Sequence, residues 1–119
     1  MRNVQLGQLV SPGALARLLA FKQDVIQAFP GAVEGMILFG SRARGDAQTD
    51  SDYDVAVLLN GCLADEWHVC KRISDLAWDH EADGCIIQPV PVNAEAFRSR
   101  AGFRTELAMR IGAEGIPLR

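Results

Sequence analysis

The chain has 119 residues, the size of one ordinary domain, which excludes two domains with a deep cleft between them; a single domain over 1–119 is expected. Hydrophobic residues make up 49% and charged residues 23%, a balance that excludes a disordered or fibrous chain. No apolar run is long enough to cross a bilayer, the first residues lack the apolar stretch of a secretory signal, and a net charge of −3 disfavours a nonspecific nucleic-acid binder.

Taken in chain order, the first element is a helix. Ser11 can cap it and Pro12 suits its first position, and Leu15, Leu18, Leu19, Val25, Ile26 and Phe29 recur at near-helical spacing before Pro30-Gly31 ends it. Glu34–Phe39 is a short apolar run that fits a buried strand. The polar stretch 41–52 reads as a loop or short helical turn, and Tyr53–Leu59 as a second strand stopped by Asn60-Gly61. A second helix is predicted from Leu63 to about Ala82, with Leu63, Trp67, Cys70 and Ala77 on one stripe and Val69, Ile73 and Leu76 beside it. Trp67 and Trp78 read as core or contact residues.

Cys85–Val92 forms the third predicted strand, and Pro89 and Pro91 place its end at a sheet edge or outside the ladder. Asn93 is positioned to cap a short helix running to about Arg100, and Thr105–Ile111 reads as a last helix ended near Gly112 or Gly115. The basic stretch of Arg98, Arg100, Arg104 and Arg110 reads as a solvated face or as the lining of a partner or substrate surface. Three strands among these helices imply an α+β fold, a small mixed sheet with helices packed on it. Cys62, Cys70 and Cys85 form no C-x-x-C pair and no zinc pattern, so reduced, mostly buried thiols in a cytoplasmic protein are expected.

Chemistry concentrates between Gly40 and Leu59, GSRARGDAQTDSDYDVAVLL. Gly40 removes a side chain where backbone must approach a ligand. Ser41 adds a hydroxyl, the adjacent N–H groups can form an anion-binding concavity, and Arg42 and Arg44 bring guanidinium groups suited to phosphate. Asp52 and Asp54 stand two apart at the start of a strand, so both carboxylates share one face. They repel each other unless a cation or proton neutralises them, and hard oxygen ligands beside a phosphate site suggest Mg²⁺.

Gly40-Ser41, ten intervening residues and then Asp52-x-Asp54 resemble the signature of the polymerase-β-like nucleotidyltransferase superfamily. The fuller text G-S-R-A-R-G…S-D-Y-D resembles its minimal nucleotidyltransferase branch. The resemblance implies that Gly40, Ser41, Arg42, Arg44 and Ser51 bind a nucleoside triphosphate. It implies that Asp52 and Asp54 hold two Mg²⁺ ions, and that a nucleoside monophosphate is transferred, most often AMP from ATP, on a polymerase-β-like palm. It further implies a helical HEPN-type partner protein as acceptor, in a toxin–antitoxin pair whose antitoxin is this enzyme; a homo-oligomer acting on a small molecule is the alternative.

The family places a third acid on a later strand, where it joins the metal site and can act as general base. Cys85–Val92 contains no acid. Two placements stand: Asp83, just before the strand, completes the site (with Glu81 a further, weaker substitute), or the shared I-Q-P-V text puts Ile86 in the acidic position and the domain becomes a weakened or purely binding module.

Overall fold

The computed structural model describes residues 5–48, 51–81, 85–99 and 105–118. Helix α1 (Pro12–Ala28) starts as its sequence dictates: Ser11 Oγ accepts from the Ala14 N–H at 3.2 Å and Pro12 occupies the first turn. Its buried seam is Leu18, Phe21 and Val25. Strand β1 (Val33–Phe39) follows, then a single helical turn, α2 (Ser41–Arg44), and strand β2 (Tyr53–Leu59). Helix α3 (Trp67–Asp79), strand β3 (Ile87–Asn93), helices α4 (Ala94–Arg98) and α5 (Glu106–Glu114), and the two-residue strand β4 (Ile116–Pro117) complete the order. No helix among the described residues is long and apolar enough to cross a membrane.

The sheet runs β3-β2-β1-β4. β1 pairs antiparallel with β2 and β4, while β2 and β3 run parallel. The sheet is therefore mixed, and the fold is α+β as the sequence implies. β3 is an edge strand, which answers the two prolines. The Tyr53 N–H donates to the Ile86 carbonyl at 2.7 Å, so the even-numbered residues of β3 face the ladder and the missing N–H groups of Pro89 and Pro91 point away from it.

Period-two alternation divides the sheet between two cores. Met36, Leu38, Tyr53, Val55, Val57 and Leu59 pack with α1 and α3. Ile37, Phe39 and Ala56 pack on the other face with Phe97 of α4 and with Ala108 and Ile111 of α5. Asp54 lies on this second face, in register with Phe39 of β1 and Gln88 of β3. Two apolar layers thus clamp the strand whose N-terminal end carries the acidic pair.

Several expected boundaries shift. The helix predicted from Leu63 divides into a 3₁₀ turn (Leu63–Asp65) and α3, because Glu66 adopts extended backbone at φ −83°, ψ 117°. The buried seam of α3 is Val69, Ile73, Leu76 and Ala77. Trp67 and Trp78 fall roughly opposite that seam at about 100° per residue, and both are about three-quarters exposed (75% and 73%), so neither belongs to the core. Cys85 is buried, but Cys62 is exposed. Asn93 does cap α4, accepting from the Ala96 N–H at 3.0 Å. β4 is an addition with no counterpart among the predicted elements.

Candidate functional site

Gly40 ends β1 and caps α2 with φ 79° and ψ −161°, a region open essentially to glycine alone. A Cβ at this position would overlap the Asp54 carboxylate. The glycine is thus required twice, by its backbone angles and by the close approach of the acidic strand. α2 then lifts the chain away from the sheet, with the Ala43 and Arg44 N–H groups both donating to the Gly40 carbonyl at 3.0 Å.

Asp54 is half-buried at the mouth of the sheet, and Asp52 is exposed. Burial pushes the Asp54 carboxyl above its ordinary pKa, and the like charge of Asp52 pushes it further the same way; Arg110 and Arg44 oppose the rise. The structure therefore brings the expected pair together electrostatically, and the pair is poised to gain from a cation or a proton. Continuing the parallel register by one residue from Tyr53↔Ile87 sets Asp52 beside Ile86. Ile86, just before β3, and Gln88 within it, both exposed, are the residues nearest the acidic pair on that face, and neither is an acid. Asp83 lies outside the described residues.

Arg42 and Ser51 are engaged with each other. Arg42 donates from Nε and Nη2 to the Ser51 carbonyl at 3.2 and 3.0 Å and stacks over the Tyr53 ring, 4.5 Å from its centroid. Ser51 Oγ accepts from the Gln48 N–H at 2.8 Å. These contacts fix the loop immediately before Asp52. The Ser41 carbonyl accepts from Gly45 and Asp46, at 3.0 and 3.2 Å. Arg44 is exposed and forms ion pairs with Asp46 at 3.1 Å and Glu114 at 2.9 Å. Those two bonds, Asp46 first, hold its pKa above the ordinary value.

One residue of the site, Glu114, was not singled out from the sequence, and Arg110 was read only as part of a basic stretch. Glu114, on the last turn of α5, accepts from the Gly40 N–H at 2.9 Å through Oε2 and from Arg44 Nη1 at 2.9 Å through Oε1. Arg110, one turn earlier on α5, sits 4.0 Å from the same Glu114 oxygen, and its guanidinium lies over the Phe39 ring at 5.7 Å. Their 110/114 spacing marks only a helical pair. What carries them to the site is β4: its pairing of Leu38 with Ile116 brings the end of α5 alongside the end of β1.

The donor set can be set against Mg²⁺. Among the described residues no group of three His, Cys, Asp or Glu side chains could hold a metal ion. A Mg²⁺ that keeps its waters and arrives on substrate phosphates needs only one or two protein carboxylates. Asp52 and Asp54, mutually repelling and open to solvent on one side, fit that requirement.

The sequence matches the family Polymerase beta, Nucleotidyltransferase over residues 23–96, a span that contains α2, the acidic pair and β3. No curated protein matches the chain. Among solved structures, a crystal structure of a toxin–antitoxin with AMP-PNP aligns with a TM-score of 0.50 at 20% identity, covering 88% of this chain and 72% of that one. A Sulfolobus solfataricus protein assigned as a nucleotidyltransferase aligns with a TM-score of 0.44 at 20% identity, covering 93% of this chain and 90% of its own. At 20% identity the first of these likenesses speaks for the fold alone.

Proposed function

The chain belongs to the polymerase β nucleotidyltransferase family, and on that premise we propose that it is a Mg²⁺-dependent adenylyltransferase, the antitoxin partner in a MntA-type pair with a HEPN-type protein. The observation that carries the reading is the close approach of Asp54 to Gly40, with no room for a Cβ between them. It brings the Gly40 backbone against Asp54, which supports a triphosphate on the glycine loop and its cation on the acidic pair sharing one site. The choice of ATP and of a protein partner draws on the toxin–antitoxin neighbour that holds AMP-PNP.

In this reading Gly40, Ser41 and Arg44 hold the phosphates. Arg42 and Ser51 fix the loop so that Asp52 meets Asp54 on one face. Mg²⁺, held by Asp52 and Asp54, supplies charge neutralisation for the phosphates and the departing pyrophosphate. An acceptor hydroxyl oxygen bonds to the α-phosphorus, the bond from that phosphorus to the bridging oxygen breaks, pyrophosphate leaves with the electron pair, and the hydroxyl proton passes to a carboxylate of the site. Asp83 is the further acid this scheme invites. The protein's share is positioning and electrostatics, as in other phosphoryl transfers.

A second reading has its own observation: Gln88 of β3 is in register with Asp54 and Ile86 precedes the strand on the same side, so no acid stands there. On that reading the domain keeps the fold and neutralises its partner by contact. Incubation with ATP labelled on the α-phosphate, Mg²⁺ and the product of the neighbouring gene separates the two. The enzyme reading expects label on the partner, lost in Asp52→Ala/Asp54→Ala together with neutralisation. Neutralisation that persists in the double variant establishes the contact reading instead.

A further inference from the structure

Both carboxylate oxygens of Glu114 are committed. One takes the backbone N–H of Gly40, and the other takes the guanidinium of Arg44, both at 2.9 Å. Arg110 stands within 4.0 Å. The Glu114 side chain is only 16% exposed, and its bond to the Gly40 N–H is part-buried, whereas Arg44 meets it from the exposed side. A carboxylate with one oxygen on a loop N–H and one on an arginine reproduces the contacts of a phosphate oxygen pair. Its charge also acts on Asp54 in the same direction as Asp52 does.

We infer that Glu114 is a built-in competitor of the triphosphate: it occupies the Gly40 N–H and Arg44 and must swing away before phosphate oxygens can take them. The inference rests on the nucleotide-binding reading above and adds a determinant of affinity to it. Its physical basis is exclusion. Gly40 has one N–H, and two anions cannot share it. A phosphate set beside an undisplaced Glu114 meets like charge in a partly sheltered site, where screening is weak. Arg44 and Arg110 remain on both sides of the exchange, so the ligand inherits the cations Glu114 gives up. Displacement asks only for a rotation of side-chain torsions at the end of α5, with β4 holding the backbone against β1.

The opposite role is equally concrete. Glu114 could act as a positioning residue, holding Arg44 and the glycine loop ready for the nucleotide. The two roles differ in sign. Glu114→Gln keeps the shape and removes the charge; as a competitor, its loss tightens binding of ATP and of inorganic tripolyphosphate by about tenfold, the scale of one charged hydrogen bond. As a scaffold, its loss weakens both. The test is calorimetric titration of wild type, Glu114→Gln and Glu114→Ala with each ligand in Mg²⁺, after circular dichroism shows each variant folded. In the wild type itself, a carbon-detected NMR titration should move the Glu114 carboxylate resonance together with the Gly40 amide as ligand is added, a result that depends on no variant. Tighter binding in both variants, with those coupled shifts, supports the competitor. Unchanged or weaker binding in the variants, or a Glu114 signal that stays still while Gly40 moves, overturns it and leaves the nucleotide site standing. No binding of either ligand to any of the three proteins overturns the nucleotide reading, and the competitor with it.

Discussion

Gly40→Ala is the sharpest test of the site's geometry. The substitution acts in two ways. An alanine at φ 79°, ψ −161° sits in a region that costs on the order of 1–3 kcal/mol. Its Cβ also overlaps the Asp54 carboxylate, and relieving an overlap of this kind typically costs a further ~1–3 kcal/mol. The sum is about 2–6 kcal/mol. At roughly 4 °C per kcal/mol for a domain of this size, melting should fall by about 8–24 °C. Gly61→Ala serves as the control: its φ is 64°, but a Cβ there meets nothing within 4 Å, so only a backbone cost of about 1–2 kcal/mol applies. Urea denaturation of both variants measures the difference. Repeating Gly40→Ala in an Asp54→Ala background removes the overlapping carboxylate and should recover about 1 kcal/mol or more as a coupling energy. A loss at Gly40 no larger than that at Gly61, with no coupling to Asp54, would refute the close approach on which the site is built.

Asp54→Asn should stabilise the fold at neutral pH. The folded pKa of Asp54 is raised, first by burial and then by Asp52, so the unfolded chain gives up its proton first and wild-type stability falls as pH rises from the ordinary carboxylate range through the raised value. The melting advantage of the variant should therefore shrink as pH falls below that window, and an advantage that grows on acidification contradicts the assignment. Arg42→Lys loses the two-pronged bond to the Ser51 carbonyl and the stacking on Tyr53. Lysine cannot reproduce either, so denaturant titration should show about 1–2 kcal/mol lost, and a lysine variant as stable as wild type would deny Arg42 its loop-setting role. Trp67→Ser and Trp78→Ser, at positions three-quarters exposed, should each change stability by no more than about 0.5 kcal/mol, and the wild-type indole fluorescence should be readily quenched by iodide. A melting drop of core size, or an unquenched indole, would place a ring inside.

Much of this architecture was legible because short-range chemistry set it. Ser11-Pro12 fixes the start of α1, Asn60-Gly61 the end of β2, and Asn93 the start of α4, each through a bond or backbone preference contained within a few residues. The alternation of Asp54, Ala56 and Leu58 against Tyr53, Val55 and Val57 also survives into the fold, since two helix layers bury both faces of β2. The place of Trp67 on α3 was misread for an equally local reason. Counting the helix through Leu63 assigns Trp67 to the seam, but extended backbone at Glu66 starts a new helix whose seam is Val69, Ile73, Leu76 and Ala77.

Glu114 escaped sequence reading, and Arg110 was not tied to the site, for a different reason, and it bears on how such sites are found. Neither has an unusual neighbour in sequence; Arg110 belongs to a basic stretch that reads as a solvated face, and Arg98 of that stretch does lie outside, pairing with Glu34 at 2.6 Å. What separates Arg110 from Arg98 is two residues of strand. Ile116 and Pro117 are too short a run to show periodicity, yet their pairing with Leu38 and Ile37 decides where α5 ends. Because Leu38 is two residues before Gly40 and Ile116 two residues after Glu114, antiparallel pairing sets the carboxylate opposite the glycine N–H. The contact spans 74 residues of sequence and is determined by a ladder of two. Substituting Ile116, buried at 1%, with alanine should therefore cost about 2–5 kcal/mol of stability and also loosen Glu114 from Gly40. Faster Gly40 amide exchange, beyond the change at other amides of β1, is the expected signature. Uniform acceleration across β1 would mean that β4 stabilises the sheet without steering α5.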